Sequence, residues 1–280
     1  MPENSKHGKG FEIKGKNSMF KDMLKVSSLS ETYGELVIEI YNEKYLMIKV
    51  KDGGEKTTVM SRGIYTGFEK TTCDGEKTSF GVNVSNVLGY LKDLFTDDEV
   101  ITFVQDGSDL LIIGAKDTIR TSLLEPRMVK TYTENLDFII DETKKVALYK
   151  KGTVVPTTIA TLDSQILRDI AVRAGKVKQE YYPINIEPKN KISCEVGSRK
   201  KDKTKDTIAY TTDQALVDGE PCVTTLGNGF KEVVSVLKGS CQISGVNPDK
   251  IGGKQAPLWI YQATENYEVG FFIAPRTPEQ

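Results

Sequence analysis

Few residues in this chain have the types and spacing that enzyme chemistry requires. The only histidine is His7, in a polar N-terminal stretch, so acid–base catalysis, catalytic triads and most transition-metal sites lose their commonest participant. The cysteines are far apart and form no C-x-x-C pair, which fits neither a zinc site nor a disulfide framework. We interpret all four as core residues in a reducing environment: Cys73, Cys194, Cys222 and Cys241. No catalytic residue and no metal site is predicted.

Two further patterns resemble sites for phosphate binding or proton transfer, but neither has the surrounding sequence that such a site requires. The stretches 54–57 and 75–78, each Gly-Glu-Lys-Thr, do not satisfy the phosphate-loop motif G-x-x-x-x-G-K-[ST]. Both sit in predicted hairpin turns without the following helix that such a loop needs. The adjacent carboxylates Asp97 and Asp98 follow a predicted helix, and we interpret them as turn residues rather than an acid–base pair. No nucleotide or organic cofactor is expected.

The total charge does not identify a class of partner. In 280 residues, 38 Lys and Arg stand against 39 Asp and Glu, for a net charge of −1. Any electrostatic function therefore depends on how the charges are distributed. The apolar runs are far shorter than the roughly 20 residues of a membrane helix, and the N-terminus has no secretory signal. We expect no membrane partner and a cytoplasmic, nucleoid-associated protein, or a nuclear or viral-factory protein if the host is eukaryotic.

Apolar periodicity predicts four helices, at residues 17–29, 84–95, 164–174 and 229–237. We expect Asn83 or Ser85 to cap the second helix, and Asp163 and Gly175 to begin and end the third. The β-rich runs between the helices predict antiparallel strands joined by tight turns. These runs are 11–14, 35–41, 44–51, 57–60, 64–70, 100–104, 110–115, 118–124, 157–162, 181–186, 191–196, 207–211, 241–245, 258–263 and 267–273.

The order strand, helix, strands, helix, strands occurs twice along the chain. This repetition predicts an α+β fold of two similar domains, each with antiparallel sheets and two helices. We expect a disordered tail at 1–10, an N-terminal domain at 11–124, a connector at 125–155 and a C-terminal domain at 156–276. The connector contains a further candidate hairpin at 138–149.

The predicted helices carry an excess of positive charge. Nine basic residues lie on or just beyond them against four acidic residues, with Asp163 set aside as a cap. Spacings of i,i+4 for Lys21 and Lys25, and of i,i+7 for Lys231 and Lys238, predict that each pair shares one side of its helix. If the helices share one face of the sheets, that face suits a polyanion backbone and reads no bases. The alternative is that these residues are simply solvated. The nine are Lys21, Lys25, Lys92, Arg168, Arg173, Lys176, Lys178, Lys231 and Lys238.

A second basic feature is the run Arg199-Lys200-Lys201-Asp202-Lys203-Thr204-Lys205 between two predicted strands. Such a run could contact phosphates or act as a localisation signal. We favour a solvated hairpin loop.

The C-terminal strands resemble the end of sliding clamps of the proliferating cell nuclear antigen type. Residues 257–261, Pro-Leu-Trp-Ile-Tyr, precede residues 269–276, Val-Gly-Phe-Phe-Ile-Ala-Pro-Arg. Chains of that family end on an apolar strand that runs into Leu-Ala-Pro-Lys or Leu-Ala-Pro-Arg, and here Ile273 replaces the leucine. Residues 73–91 and 98–102 also look like the strand, second helix and following strand of the first clamp domain.

The resemblance implies a DNA polymerase processivity factor. It implies a homotrimeric ring whose helices surround double-stranded DNA, which assigns the nine basic residues to the inner wall. Polymerases and other clamp-binding proteins would dock a short peptide beneath the connector, and an ATP-dependent clamp loader would be needed. Residue matching places seven residues at that pocket: Ile48, Val50, Pro257, Phe272, Ile273, Ala274 and Pro275.

Three departures from the family leave alternatives open. The tail at 1–10, the long connector and the basic run at 199–205 are additions, and they leave the connector's partner-binding residues unassigned. The chain could instead be a subunit of a heterotrimeric or checkpoint clamp. A structural β-rich protein of the virion type, with solvated helices, is the alternative from another class.

Overall fold

The computed structural model describes residues 10–52, 59–149, 152–177, 181–197 and 207–276. The chain divides into two compact units. The first takes its described residues from Met1–Val50, Arg62–Glu134 and Ala263–Val269, and the second from Lys51–Ser61, Asn135–Gln262 and Gly270–Gln280. No helix in these described ranges is long and apolar enough to cross a membrane. The expected tail at 1–10, apart from Gly10, and the basic run at 199–205 lie outside the described residues.

In the described part of the N-terminal half, the chain forms nine strands and two α-helices. In chain order they are β1 (Phe11–Lys16), α1 (Asn17–Ser27), β2 (Glu35–Tyr41), β3 (Tyr45–Lys51), β4 (Val59–Tyr65), β5 (Lys70–Cys73), β6 (Lys77–Asn83), α2 (Val84–Asp93), β7 (Val100–Asp106), β8 (Asp109–Ile113) and β9 (Thr118–Ser122).

A short hairpin precedes the C-terminal half. It consists of β10 (Ile139–Asp141) and β11 (Val146–Leu148), as the sequence predicts. The elements that follow are β12 (Thr158–Asp163), α3 (Ser164–Lys176), β13 (Tyr182–Glu187), β14 (Lys191–Gly197), β15 (Thr207–Thr212), β16 (Leu216–Gly219), β17 (Cys222–Leu226), α4 (Gly229–Val236), β18 (Ser240–Gly245), β19 (Leu258–Ala263) and β20 (Tyr267–Ile273).

The two halves have the same sheet topology. The N-terminal strands run in the orders β5-β1-β7-β8-β9 and β4-β3-β2-β6. The C-terminal strands run in the corresponding orders β16-β12-β18-β19-β20 and β15-β14-β13-β17. The registered pairs within these sheets are antiparallel. The predicted α+β fold of two similar halves is confirmed.

Amphipathic patterning and caps explain why the helices form where they do. In α1 the predicted apolar face is buried, including Phe20 and Leu24. The Asn83 side chain accepts the N–H of Asn86 and begins α2, and the Asp163 side chain accepts the N–H of Gln165 and begins α3. The cores beneath the helices are aromatic and aliphatic.

Several predicted boundaries are wrong. Two strands were expected at 57–60 and 64–70, but β4 runs continuously from Val59 to Tyr65 and the next strand begins at Lys70. Two strands also pair with partners that are not their neighbours in the chain, because β5 pairs with β1 and β6 pairs with β2. Gly175 does not end α3, which continues to Lys176. The sequence predicted neither β16 nor β17, which are only four and five residues long.

Candidate functional site

The helices of the first unit lie side by side and are joined at their ends. The Asn17 amide, at the start of α1, donates to the carbonyls of Leu91 and Phe95, each at 2.9 Å. Asn17 is fully buried, so this one side chain satisfies carbonyls at the end of α2 that water does not reach. The two helices therefore present their polar faces from a fixed arrangement.

Carboxylates largely balance the predicted cations of this first helix pair. Lys21 forms an ion pair with Asp97, and Lys92 Nζ lies 3.0 Å from a carboxylate oxygen of Glu31. These contacts lower the pKa of both carboxyls: the hydrogen bond from Lys21 acts on Asp97, and that from Lys92 acts on Glu31. The charge of Lys25 acts in the same direction on both. With Asp22 and Asp93 on the same helices, this pair presents three lysines against four carboxylates.

The helices of the second unit carry a different balance. Arg168 donates to the carbonyl of Leu237 at 2.8 Å, so it braces the end of α4. The Arg173 guanidinium lies 4.8 Å from the centre of the Tyr210 ring. Lys176, at the end of α3, is exposed. Arg173 and Lys176 therefore remain on the surface, while Arg168 has a structural role that the sequence did not predict.

The end of α4 corrects one prediction. Lys231 is exposed on α4, but the helix ends at Val236 and Leu237 is extended, with φ −72° and ψ 148°. Lys238 is therefore beyond the helix, and the predicted i,i+7 pairing with Lys231 on one helical face is wrong. Burial raises the pKa of Glu232, the neighbour of Lys231 on α4. The remaining predicted cation, Lys178, lies outside the described residues.

Four exposed cations lie on or just beyond the helices of the second unit: Arg173, Lys176, Lys231 and Lys238. Apart from the cap Asp163, the acidic side chains on these helices are Asp169 and Glu232, which are both half-buried. Flexible cations on a helical surface contact phosphates without the fixed bidentate geometry that base recognition needs. This surface is suited to binding a polyanion by charge alone, without recognition of bases.

The thiols of the second unit are not arranged for chemistry. Burial raises the pKa of Cys194 to about 12, that of Cys222 to about 11 and that of Cys241 to about 12. Thiols with such values carry almost no thiolate at neutral pH. Among the described residues, no three His, Cys, Asp or Glu side chains are grouped so as to hold a metal ion.

An aromatic cluster surrounds Phe272 in the second unit. Phe138 stacks on Phe272 with ring centroids 5.0 Å apart and planes 6° apart. Tyr149 meets Phe272 edge-on at 5.2 Å, and Trp259 meets Phe138 edge-on at 5.2 Å. Met60, Val246 and Ala256 complete the buried cluster with Ala147. Phe138 and Tyr149 flank the hairpin β10–β11, so the connector packs directly on the C-terminal strand.

Hydrogen bonds fix the hairpin on the strands β18 and β19. The indole N–H of Trp259 donates to the Lys145 carbonyl at 2.9 Å. The Tyr149 hydroxyl donates to the Pro257 carbonyl at 3.0 Å. The Gln242 amide donates to the carbonyl of Lys144 at 3.1 Å. Each bond joins the connector to a strand about 100 residues further along the chain.

The structure brings together only some of the predicted pocket residues. Pro257 and Phe272 meet at Tyr149, as described above. Ile273 is buried, while Ala274 and Pro275 are half-buried and Pro275 forms a β-bridge with Leu226. The other two predicted residues, Ile48 and Val50, are each only 1% exposed in the core of the first unit.

Sequence reasoning missed three residues of this cluster as site residues: Phe138, Tyr149 and Trp259. Phe138 and Tyr149 flank the predicted connector hairpin, and Trp259 lies in the motif that carries the family resemblance. The useful signal was the aromatic residue at each end of the predicted hairpin, because large aromatic side chains gain most from burial.

A buried carboxylate fixes the start of the connector on the first unit. The Glu39 side chain is completely buried, and its oxygens lie 2.9 Å from Lys77 Nζ and 3.3 Å from Lys49 Nζ. The Tyr132 hydroxyl donates to the same carboxylate at 3.0 Å. Burial, and then the charge of Glu39, raise the pKa of Tyr132 to about 12. The Lys49 ammonium also donates to the Glu134 carbonyl at 2.8 Å.

No family model matches the chain, and no curated protein matches its sequence. Solved structures match its fold, among them three of PCNA. The structure of A. fulgidus PCNA with the C-terminal region of FEN-1 bound has a TM-score of 0.70 at 15% identity and covers 96% of this chain and 100% of that one. The proliferating cellular nuclear antigen of Entamoeba histolytica has a TM-score of 0.72 at 13% identity, with 96% and 100% covered. PCNA from Thermococcus kodakaraensis has a TM-score of 0.67 at 16% identity, with 95% and 100% covered. The chain therefore has the fold of these sliding clamps.

Proposed function

We propose that this protein is a DNA sliding clamp, a non-enzymatic processivity factor that encircles duplex DNA and tethers a polymerase and other replication or repair proteins. The observation that carries the proposal is the clamp fold, matched over 95–96% of the chain at TM-scores of 0.67–0.72. In this function the domains are the predicted ones, 11–124 and 156–276, joined by the connector 125–155.

The duplicated topology supports closure into a ring. In the first unit β4 is the neighbour of β20, and the N–H of Thr66, just after β4, donates to the Asn266 carbonyl at 3.0 Å. By position in the repeat, β15 corresponds to β4 and β9 corresponds to β20. Among the described strands, β9 and β15 each have a neighbour on one side only. Pairing of β9 in one copy with β15 in the next would repeat the β4–β20 joint, and we propose three copies per ring.

DNA contacts are assigned to the nine basic residues of the helices, with those of α3 and α4 foremost because their charge is exposed. Such contacts are independent of base sequence and weaken with salt, which permits sliding. No cofactor is required by the clamp itself. Opening and closing around DNA would need a separate ATP-dependent loader.

Partner proteins are proposed to bind at the Phe272 cluster. The structure with FEN-1 shows that a clamp of this fold binds a C-terminal peptide region of another protein. In this chain Phe272 and Pro257 are proposed as pocket residues, together with the other predicted ones, Ile48, Val50, Ile273, Ala274 and Pro275.

The test combines an image with an activity. Negative-stain microscopy should show rings with a central hole of duplex width, and light scattering should give three times the chain mass of 31.1 kDa. Addition to the cognate polymerase on a primed circular template should lengthen the products. A monomer at all micromolar concentrations, with no effect on product length, would falsify the proposal. Ring formation only with a second polypeptide would instead indicate a heterotrimeric clamp.

A further inference from the structure

The hairpin β10–β11 occupies the space beside Phe272 that a partner peptide would need. Phe138 lies flat on one side of the Phe272 ring, and Tyr149 lies against its edge. As a result Phe272 is only 7% exposed, and the two connector rings are each 5% exposed. A partner's side chain contacts Phe272 fully only after the hairpin has moved.

The attachment of the hairpin is strong enough to hold it and weak enough to be reversed. Each strand has three residues, and a two-stranded hairpin of this size is marginally stable unless it packs on something else. Its hydrogen bonds to the strands beneath it include those to Trp259, Pro257 and Gln242. Short segments of this kind open locally far more often than the whole fold unfolds.

The space that Phe138 fills is suited to an aromatic ring. The Phe138 ring lies nearly parallel to the Phe272 ring, with an angle of 6° between their planes, and meets the Trp259 ring edge-on, at 62°. Stacked and edge-to-face partners of this kind favour another aromatic ring over an aliphatic side chain. On the outer side of the hairpin, Ile139 is 51% exposed, so the hairpin covers the cluster without being covered itself.

We propose that β10–β11 is an autoinhibitory lid, and that a partner peptide binds by replacing Phe138 with an aromatic side chain of its own. The inference rests on the proposed partner-peptide pocket and adds its regulation. Because the peptide binds only the open form, the apparent affinity equals the intrinsic affinity multiplied by the fraction of molecules whose lid is open. A substitution that removes a contact made only by the closed lid should therefore tighten peptide binding. A substitution that removes a side chain of the pocket itself should weaken it.

The experiment uses the full chain and a fluorescently labelled peptide of the A. fulgidus FEN-1 C-terminal region, followed by anisotropy. Tyr149→Phe removes only the hydroxyl bonded to Pro257 and should tighten binding about five-fold, the factor of one typical hydrogen bond. Phe138→Ala should tighten it further, while Phe272→Ala should weaken it. The matched control is Tyr132→Phe, which removes a connector hydroxyl bonded to Glu39 in the first unit and should leave the affinity unchanged.

A second measurement keeps the test independent of variant stability. Hydrogen exchange of the wild-type chain should show the amides of β10 and β11 exchanging faster when the peptide is bound, while those of β18 do not. Equal affinity of the wild type, Tyr149→Phe and Phe138→Ala, with unchanged exchange in the hairpin, overturns the lid and leaves the clamp intact. Absence of peptide binding to every variant overturns the pocket itself, although ring formation would still stand.

Discussion

Removal of three exposed lysines on or beside α3 and α4 should reduce DNA binding by a calculable amount. The perturbation is the triple variant Lys176→Ala, Lys231→Ala and Lys238→Ala, since all three side chains are exposed on or beside α3 and α4. Each replaces a cation that is proposed to neutralise one phosphate. Lys21 and Lys92 are left in place because their carboxylate partners already offset their charge.

The expected size follows from counterion release. Each phosphate contact contributes about 0.9 to the slope of log affinity against log salt, so three lysines contribute about 2.7 per subunit in contact with DNA. Between 50 and 200 mM salt, that slope corresponds to about a 40-fold change in affinity. The triple variant should therefore be much less sensitive to salt than the wild type, and weaker at low salt.

The assay is anisotropy of a short labelled duplex across a salt series, with protein assembly checked by light scattering. The control variant carries Lys14→Ala, Lys70→Ala and Lys191→Ala, which removes three lysines from strands, where each pairs with a glutamate. The control should retain the wild-type slope. Equal loss of slope in both variants would mean that net charge, rather than the helix surface, governs binding, and the assignment of α3 and α4 would be refuted.

Three further variants test the packing, and a pH series tests one ion pair. Glu39→Gln should lower the free energy of unfolding in urea by about 3 kcal/mol, because it removes the counter-charge of Lys49, whose side chain is only 12% exposed, and of the more exposed Lys77. Gly270→Ala should lower the melting temperature, since an added Cβ would overlap the Trp259 ring. Asn17→Ala should cost about 2–4 kcal/mol in the same urea assay by leaving two buried carbonyls unpaired. Burial lowers the pKa of Lys77, but the hydrogen bond and the charge of Glu39 outweigh burial, so the pKa is raised in the folded protein. The contribution of this ion pair to stability should therefore be complete below about pH 10.4, the pKa of lysine in the unfolded chain. It should be lost as the pH rises through the higher pKa of Lys77 in the folded protein, which urea unfolding across a pH series measures.

Local signals were sufficient to predict the four helices and most of the strands. The cap at Asp163, the apolar stripe around Phe20 and the connector hairpin are each decided by neighbours within a few residues. The strand β16 escaped prediction because it is short and exposed, with Leu216 at 71%, so it lacks the alternation of buried and exposed residues. Gly175 resembles a helix end locally, yet α3 continues past it to Lys176.

The functional surfaces depended on contacts that sequence spacing does not encode. Lys21 and Asp97 are 76 residues apart, so charge counting along the helices overstated the positive excess of the first pair. The motif singles out Phe272 as a candidate site residue, and the structure places it in the aromatic cluster of the second unit. The stacking of Phe138 on Phe272 was not predicted, because that contact joins residues separated by more than 130 positions. Alternation and helical periodicity report which face is buried, but not which distant side chain covers it.

The correspondence between the β4–β20 joint and the unpaired edges β9 and β15 has a consequence for how a ring would open. The first joint forms within one polypeptide, so its strands meet at a high effective concentration that dilution does not change. A joint between β9 and β15 forms between copies, and its occupancy falls as the protein is diluted. A ring of three copies would then contain three permanent joints within chains and three reversible joints between chains, all of similar geometry. A loader would need to separate only one of the joints between copies, while covalent continuity preserves the three joints within chains.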